Sequence, residues 1–416
     1  MWVCSQLGAR EHYAIPRALF RRGSLGYLLT DAWLPFRSRL AALLLGWGER
    51  FHTDLAEAPV RAWTSSLFAF ELGARVKRLS GWPLVVARNQ WFQRTVLSFL
   101  AGYEPKTDDR GLTLFGYSYS ALELFRFAKS RGWKTVLGQI DPGPFEEDIV
   151  AAEAEREPSL APNWRRAPAD YWNSWREECD LADRIIVNSQ WSRSCLLKTG
   201  VNDSKLLVIP LGYEMPEVRG QWSEVRAGRK YPARFTRERP LRVLFLGQVN
   251  LRKGVARLLN AIRSLKDEPI EFLMVGPIQI TIPEDLRLNR RIRWVGPVSR
   301  RRVRYYYDQA DLFILPTLSD GFALTQLEAL AHRLPVIASR RCGEVVIDCV
   351  NGLVLEEPTA EAIEEALRSC LNNPDQLAQF SENATVGEHF SLSCLGAELC
   401  KLAGSIHSPI DIRSVN

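Results

Sequence analysis

The stretch from residue 315 to residue 339, LPTLSDGFALTQLEALAHRLPVIAS, constrains the fold of this chain more than any other segment. It opens at the end of an apolar run, as a buried strand would, and the letters SDG then supply turn formers. Four apolar residues follow at helical spacing: Phe322, Leu324, Leu327 and Leu330. Pro335 predicts the end of this helix before a second apolar run. The segment therefore predicts a strand, a helix and a second strand, which is the repeating unit of a parallel α/β sheet.

Two carboxylates, Asp320 and Glu328, stand in this unit with seven residues between them. We expect Asp320 in the loop before the helix and Glu328 about two turns inside it, roughly 12 Å along the helix axis. The two acids could then contact opposite ends of one ligand at the helix N-terminus, where free N–H groups suit a phosphate. The same spacing also fits an ordinary unit in which Asp320 caps the helix and Glu328 is solvated.

Residues 320–339, DGFALTQLEALAHRLPVIAS, resemble the Glu-x7-Glu signature of retaining glycosyltransferases of family 4, the glycosyl transferases group 1. The usual form of that signature is EGFGLPLLEAMACGLPVIAS, so Asp320 stands where the family has its first Glu. The resemblance implies that Asp320 contacts the donor sugar and that Glu328 contacts the ribose of the nucleotide. It also implies donor contacts at Gly321, Phe322, Ala323, Leu324 and Thr325.

The length of the chain, 416 residues, is too great for one core and suits two domains. A content of 46% hydrophobic and 25% charged residues is typical of a globular protein. The net charge of +6 fits phosphate-bearing ligands or an anionic membrane surface as well as nucleic acid. The eight cysteines form no CxxC pair, so we expect free thiols, without a metal site or a disulfide framework.

Residues 36–51, FRSRLAALLLGWGERF, carry arginines around an apolar centre. They predict either a helix packed in the first domain or an amphipathic segment on anionic lipid. We favour the packed helix because the apolar run has no polar face. Arginines interrupt residues 1–30, and no apolar run is long enough for a transmembrane helix, so we expect neither a signal peptide nor a membrane span. The expected location is cytoplasmic, with a peripheral contact at the inner membrane face as an alternative.

The first half of the chain alternates apolar strands with helices, and we predict residues 52–110 to be helical. Residues 2–6 predict a strand that runs into Gly8, followed by a helical segment over residues 11–20, an opening typical of nucleotide-binding domains. In the family that the chain resembles, this loop faces the cleft. The resemblance therefore implies Gly8 as a donor contact, and Arg10 and His12 as acceptor-side residues.

A later strand of the first half ends at Asp141, where many members of the family have a His that reaches the donor sugar. We expect Asp141 either to hydrogen-bond a sugar hydroxyl on the acceptor side or to cap the turn that follows it. No His is present at this place in the sequence.

The second half opens with the apolar run LRVLFLG, which predicts a buried parallel strand, and continues into QVNLRKG before a helix. Arg252 and Lys253 stand just before that helix, so they predict a positive pocket for phosphate oxygens. Two solvated bases in a loop are the alternative. The family places its phosphate-binding bases in this loop as GRLxxxKG; Lys253 matches the Lys, and Gln248 stands at the Arg position. The resemblance further implies that glycines at strand ends border the donor: Gly247, Gly276 and Gly296.

We therefore predict an α/β protein of the GT-B fold, with two doubly wound Rossmann-like domains that face a central cleft. We expect an acceptor-side domain over residues 1–215 and a connection over residues 216–240. A nucleotide-sugar-binding domain should follow over residues 241–390, and a helix that packs back on the first domain over residues 391–416.

The resemblance implies a retaining, metal-independent hexosyltransferase that uses a nucleotide sugar, such as a UDP- or GDP-sugar. Lys253 and Arg252 would stabilise the leaving diphosphate, and Asp320 would hold the sugar. The acceptor, whether a glycan, a lipid or a small molecule, is not identified. We expect no cofactor beyond the donor substrate, no metal ion and no nucleic-acid partner.

Two other functions fit the same fold. A nucleotide-sugar epimerase would need acidic and basic groups for elimination near the anomeric carbon, and the sequence shows no such set. A protein that binds the nucleotide sugar without turnover would fit the absent His, the Asp320 substitution and Gln248. A basic and aromatic cluster over residues 300–307 is too short for a nucleic-acid surface, so we expect a solvated helix face with tyrosines in the core.

Overall fold

The computed structural model describes residues 1–34, 50–103, 111–214 and 229–407. Most of the segment 36–51 and of the predicted connection 216–240 lies outside these described residues. The described residues form two parallel sheets, and helices connect most of the consecutive strands. The prediction of a two-domain α/β protein is therefore confirmed.

The first sheet has seven strands in the order β3-β2-β1-β4-β5-β6-β7, all parallel. Apolar clusters cover both of its faces, which explains the continuous apolar runs in its central strands. Its elements are β1 (Trp2–Gln6), α1 (Ala14–Arg21), β2 (Leu25–Thr30), β3 (Val60–Ala62), α2 (Thr64–Val76), α3 (Gly81–Leu100), β4 (Thr113–Tyr117), α4 (Leu122–Ser130), β5 (Lys134–Gly138), α5 (Pro144–Arg156), α6 (Ala169–Leu181), β6 (Arg184–Val187), α7 (Gln190–Lys198) and β7 (Leu206–Val208).

Two predictions for this domain are wrong in part. The segment 52–110, expected to be helical, contains the edge strand β3, whose three residues are too few to show an alternating pattern. The first helix begins at Ala14 rather than at residue 11, because three residues take left-handed backbone angles. These are Glu11, His12 and Tyr13, with φ of 50°, 52° and 61°.

The second sheet has six parallel strands in the order β10-β9-β8-β11-β12-β13, with apolar clusters on both faces. The predicted unit over residues 315–339 is confirmed as β11, α11 and β12. The elements are β8 (Leu241–Leu246), α8 (Val255–Ser264), β9 (Ile270–Val275), α9 (Glu284–Arg287), β10 (Ile292–Gly296), α10 (Arg300–Gln309), β11 (Leu312–Leu315), α11 (Thr325–Ala331), β12 (Val336–Ser339), β13 (Gly352–Leu355), α12 (Ala360–Asn372) and α13 (Pro374–Asn383).

The last described helix, α14 (Leu392–His407), packs on α1 of the first domain. Leu395, Leu399 and Leu402 are buried in the same apolar cluster as Trp2 and other residues of the first sheet. At the close crossing with α1, a side chain on Gly396 would lie 3.2 Å from the carbonyl oxygen of Ala18. No helix in the described part of the chain is both long and apolar enough to cross a membrane.

The topology of each sheet decides where a ligand can bind. Strand order reverses between β1 and β4 in the first sheet and between β8 and β11 in the second, and loops diverge at such points to leave a crevice. In the second sheet the two loops are joined by hydrogen bonds. The Leu318 N–H donates to the Arg252 carbonyl at 2.9 Å, and the Thr317 hydroxyl donates to the same oxygen at 3.0 Å. Residues that are distant in sequence therefore meet at this crevice.

Candidate active site between the domains

Three charged side chains meet at the crevice of the second sheet. Lys253 Nζ donates a hydrogen bond to Asp320 Oδ2, and Arg252 Nη1 lies 3.2 Å from the same oxygen. Lys253 and Asp320 are each only 8% exposed. Because two cations face one carboxylate, the cluster keeps a net positive charge and suits an anionic ligand.

The charges of this cluster act strongly on one another. Burial alone raises the pKa of Asp320, but the charges of Lys253 and Arg252 outweigh it and lower the pKa to about 2. Asp320 therefore stays ionised at neutral pH. Since its folded pKa is below the unfolded value, the pairing stabilises the protein above about pH 4, and this contribution is lost as the pH falls through about 2.

Gly254 fixes the loop that carries the two bases. Its φ is +70°, and a side-chain carbon at this position would lie 1.8 Å from the carbonyl oxygen of Pro316. A non-glycine residue would therefore be strained in its own backbone and would also push the β8 loop away from the β11 loop. The close approach holds Lys253 against Asp320.

We expect Gly254→Ala to lower both stability and nucleotide affinity. Gly132→Ala is a matched control, because Gly132 has φ +72° but no atom within 4 Å of the added carbon. The left-handed angle costs about 1–2 kcal/mol in either variant. Urea unfolding should show a larger loss for Gly254→Ala, and equal losses in the two variants would contradict the packing role of Gly254.

Glu328 lies nearer to the start of its helix than we expected. The helix α11 begins at Thr325, so Glu328 is in its first turn and not two turns inside. The preceding residues form an irregular loop in which Ala323 has φ +66°, at the position where the family signature has Gly. Glu328 Oε2 accepts a hydrogen bond from the Tyr307 hydroxyl at 2.9 Å. Asp320 and Glu328 thus flank one short loop.

The three glycines expected near the nucleotide lie at the ends of neighbouring strands. The Gly276 N–H donates to the Gly296 carbonyl at 2.9 Å, and Gly276 also lies next to Gly247. A side-chain carbon on Gly276 would stand 1.9 Å from the Gly247 carbonyl oxygen. The structure therefore brings all three together at the carboxyl edge of the second sheet.

The other residues predicted to contact the donor take different positions. Phe322 is buried in the core, with its ring 5.8 Å from that of Phe390, so its side chain does not face the crevice. Leu324 is half-buried and Gln248 is exposed. The Thr325 hydroxyl is buried without a hydrogen-bond partner among the described residues.

The β1 loop meets the second domain at the opposite side of the cleft. His12 Nδ1 lies 2.7 Å from Arg300 Nη1 at the start of α10. Burial and the nearby positive charge of Arg300 lower the pKa of His12 to about 3, so His12 is neutral at physiological pH. Arg10 lies over the Tyr117 ring, 5.7 Å from its centroid. Gly8, with φ +86°, donates its N–H to Asp31 Oδ1 at 3.1 Å.

Asp141 serves as a turn cap. Its Oδ1 accepts a hydrogen bond from the Gly143 N–H at 2.9 Å and another from the Tyr119 hydroxyl. The Asp141 side chain also lines a cavity between the two domains. Asp141 therefore caps the turn that follows it, and its place in the cavity wall is also compatible with a hydrogen bond to a sugar hydroxyl.

A further acid at the site is Glu146, in the first turn of α5, which no sequence pattern singled out. Glu146 Oε1 lies 3.8 Å from Arg252 Nε, and the side chain is 12% exposed. Burial raises the pKa of Glu146, and the neighbouring Asp141 and Asp320 add to this effect while Arg252 opposes it. The letters FEED show an acidic helix start, but no pattern indicates which acid faces the second domain.

The cavity between the domains has a volume of about 590 Å³ and lies where α5 and α6 of the first domain face the loops after β8 and β9. Arg252 and Glu146 are both in its wall, so the cavity reaches the charged cluster. No group of three or more His, Cys, Asp or Glu side chains suited to a metal ion occurs within the described ranges.

The domains touch closely beside the cluster. Trp191 Nε1 donates to the Ser319 hydroxyl at 3.0 Å, and the Ser192 hydroxyl donates to the Gly321 carbonyl at 3.3 Å. A side-chain carbon on Gly321 would lie 2.3 Å from the carbonyl oxygen of Ile140. Asp320 is therefore buried between the domains by this contact.

Comparison with solved structures identifies the architecture. The chain superposes on Anabaena Alr3699/HepE in complex with UDP and glucose with a TM-score of 0.60, 15% identity, and coverage of 97% of this chain and 99% of that one. It superposes on the catalytic domain of Arabidopsis thaliana starch synthase IV with a TM-score of 0.65, 12% identity, and coverage of 98% and 99%. The protein has the GT-B fold. The predicted fold is thus confirmed, whereas the exact domain boundaries stay a prediction.

Sequence comparison concerns mainly the second domain of this GT-B protein. Residues 230–386, which hold the charged cluster, match the family model of glycosyl transferases group 1. A D-inositol 3-phosphate glycosyltransferase of Catenulispora acidiphila is 29% identical over 227 residues, which are 49% of this chain and 52% of that protein. The chain spans about half the length of the first curated relatives that it matches.

Proposed function

We propose that this protein is a glycosyltransferase that moves a sugar from a nucleotide-sugar donor to a hydroxyl of an acceptor. The observation that carries the proposal is the cluster of Lys253, Arg252 and Asp320. It combines a net positive charge with a buried carboxylate at the crevice of the second sheet. The match of residues 230–386 to glycosyl transferases group 1 supports this assignment.

In this proposal the nucleotide-sugar donor binds to the second domain. The glycine edge of Gly247, Gly276 and Gly296 leaves space for the nucleoside, and Glu328 is placed to accept hydrogen bonds from the ribose hydroxyls. The diphosphate lies against Lys253 and Arg252, while Asp320 receives hydroxyls of the sugar. The solved complex of Alr3699/HepE holds UDP and glucose, and that of starch synthase IV holds ADP, so the proposal leaves the base of the donor open.

The reaction breaks the bond between the anomeric carbon and the donor phosphate oxygen. Negative charge then develops on the leaving diphosphate, and Lys253 and Arg252 stabilise it because they are fixed in place before the reaction. The acceptor oxygen forms its bond on the face from which the diphosphate departs, and the proton of the acceptor hydroxyl passes to the departing phosphate oxygen. The configuration of the anomeric carbon is retained, and positioned bases take the role of a metal ion.

A thermal-shift screen against UDP, GDP and ADP tests the donor site. A ligand at 100 times its dissociation constant stabilises the folded protein by about 2.7 kcal/mol, which is about 5–10 °C for a domain of this size. We expect one diphosphate to give such a shift and Glu328→Gln to lose most of it, because the amide accepts fewer hydrogen bonds from the ribose. Glu284→Gln, at an exposed carboxylate paired with Arg287, is the control.

The outcomes separate the functions that fit this fold. Transfer or donor hydrolysis that EDTA does not slow would support the metal-independent glycosyltransferase. A nucleotide shift without turnover of any donor would instead indicate a binding protein. If no nucleotide at millimolar concentration shifts the midpoint of thermal unfolding, the assignment of the donor site is wrong.

A further inference from the structure

The wall that the first domain contributes to the 590 Å³ cavity is built from aromatic rings. Tyr119 and Tyr171 are stacked with centroids 4.8 Å apart, and Trp82 packs on Tyr171 at 4.9 Å. Trp172 meets Tyr171 edge to face at 5.2 Å. These rings hold one another in place, so the cavity has a rigid aromatic side.

The opposite wall is polar and comes from the second domain. Asn250, Arg252, Gln279 and Thr281 line it. Asn250 and Gln279 are hydrogen-bonded to each other through their amide groups at 2.9 Å. Amide, hydroxyl and guanidinium groups therefore face the aromatic rings across the cavity.

One carboxylate oxygen in this cavity lacks a partner. Glu146 Oε2 is buried without a hydrogen-bond donor among the described residues, while Oε1 lies 3.8 Å from Arg252. A buried polar atom without a partner costs free energy unless a ligand supplies the hydrogen bond. A hydroxyl group of a bound molecule would satisfy it.

This combination of surfaces selects a class of ligand. A pyranose ring has apolar C–H faces that pack on aromatic rings and a rim of hydroxyls that need planar polar partners. A lipid tail would cover the polar wall and leave Glu146 Oε2 unpaired, whereas a sugar suits both walls. The cavity volume is within the range of small-molecule sites, about 300–1,000 Å³.

We propose that this cavity is the acceptor site, that the acceptor is a carbohydrate, and that Glu146 accepts a hydrogen bond from its attacking hydroxyl. This assignment rests on the proposed glycosyl transfer. Arg252 links the two sites, since its guanidinium lies 3.2 Å from Asp320 and 3.8 Å from Glu146. Only the Arg252 side chain then separates a hydroxyl held by Glu146 from the donor sugar held by Asp320. Glu146 orients the hydroxyl of the acceptor, and the proton of that hydroxyl passes to the departing diphosphate.

Methyl glycosides of glucose, galactose, mannose and N-acetylglucosamine test the site directly. Saturation-transfer NMR on the full chain measures their binding without a donor, and calorimetry with the nucleoside diphosphate measures the donor site separately. We expect at least one glycoside to bind and Trp82→Ala to weaken it about tenfold. Tyr305→Ala removes an exposed ring outside the cavity and serves as the control.

The turnover assay measures nucleoside diphosphate release with the glycoside that binds. We expect Trp82→Ala to raise KM about tenfold, because it removes a packing surface. Glu146→Gln should lower kcat about 100-fold with a smaller change in KM, since an amide orients the hydroxyl less well. Glu146→Asp should recover part of the rate, which a purely structural role of Glu146 would not predict.

Each result decides one of the two assignments. If the diphosphate binds but no glycoside does, the carbohydrate acceptor is wrong, whereas the proposed donor site stands. Glycoside binding that Trp82→Ala leaves intact would place the acceptor elsewhere and overturn the inference. If no diphosphate binds, the proposed transfer fails, and glycoside binding that Trp82→Ala weakens would still assign the cavity to a sugar.

Discussion

Lys253→Ala should reduce sugar transfer by about 100- to 1,000-fold in kcat, the range found when one positioned group of a charge-stabilising site is removed. Lys253 is buried beside Asp320, so its charge acts on the leaving diphosphate with little screening by water. The variant should still fold, because Arg252 remains 3.2 Å from Asp320 and keeps that carboxylate paired. Single-turnover kinetics with the donor found in the nucleotide screen would measure the loss.

Lys129→Ala is the matched control for this variant. Lys129 also forms an ion pair, 2.7 Å from Asp183, but it lies in α4 of the first domain, away from the cleft. We expect its removal to leave kcat within about twofold, since a solvent-accessible ion pair contributes about 0–1 kcal/mol to stability. Unchanged turnover in Lys253→Ala with normal folding would show that another group stabilises the leaving diphosphate.

Much of the fold was predictable because strands buried on both faces leave continuous apolar runs. The run LRVLFL became β8, and residues 315–339 became two neighbouring parallel strands with a helix between them. Glycine at the ends of three adjacent strands also followed from the sequence, since short apolar runs stop there. These features depend on residues close in sequence, where local pattern and backbone preference agree.

The site itself depends on contacts between distant residues. Lys253 and Asp320 are 67 residues apart, and nothing in either local pattern indicates that the base would pair with the acid expected to hold the sugar. The late start of α11 follows from the left-handed angle of Ala323, which a pattern of apolar spacing does not show. Glu146 belongs to the site only because α5 faces the second domain.

A second large effect is expected from Gly321→Ala, which acts through the contact between domains. Gly321 has no left-handed angle, so alanine fits its backbone, but the added carbon would lie 2.3 Å from the Ile140 carbonyl. The first domain must then move away from the Asp320 loop. A misplacement of about 1 Å can cost about 100-fold in rate. We expect kcat to fall by that factor while nucleotide affinity, which depends on the second domain, changes much less.

Gly73→Ala provides the comparison, because Gly73 lies in α2 with no atom within 4 Å of an added carbon. That change should leave transfer intact and stabilise the helix by up to about 1 kcal/mol. Equal kcat in Gly321→Ala and the unaltered protein would mean that chemistry does not need the close contact with Ile140. Parallel losses of kcat and nucleotide affinity would instead place the effect inside the donor loop. Only a loss of kcat with preserved affinity shows that the donor domain binds alone and that catalysis requires both domains.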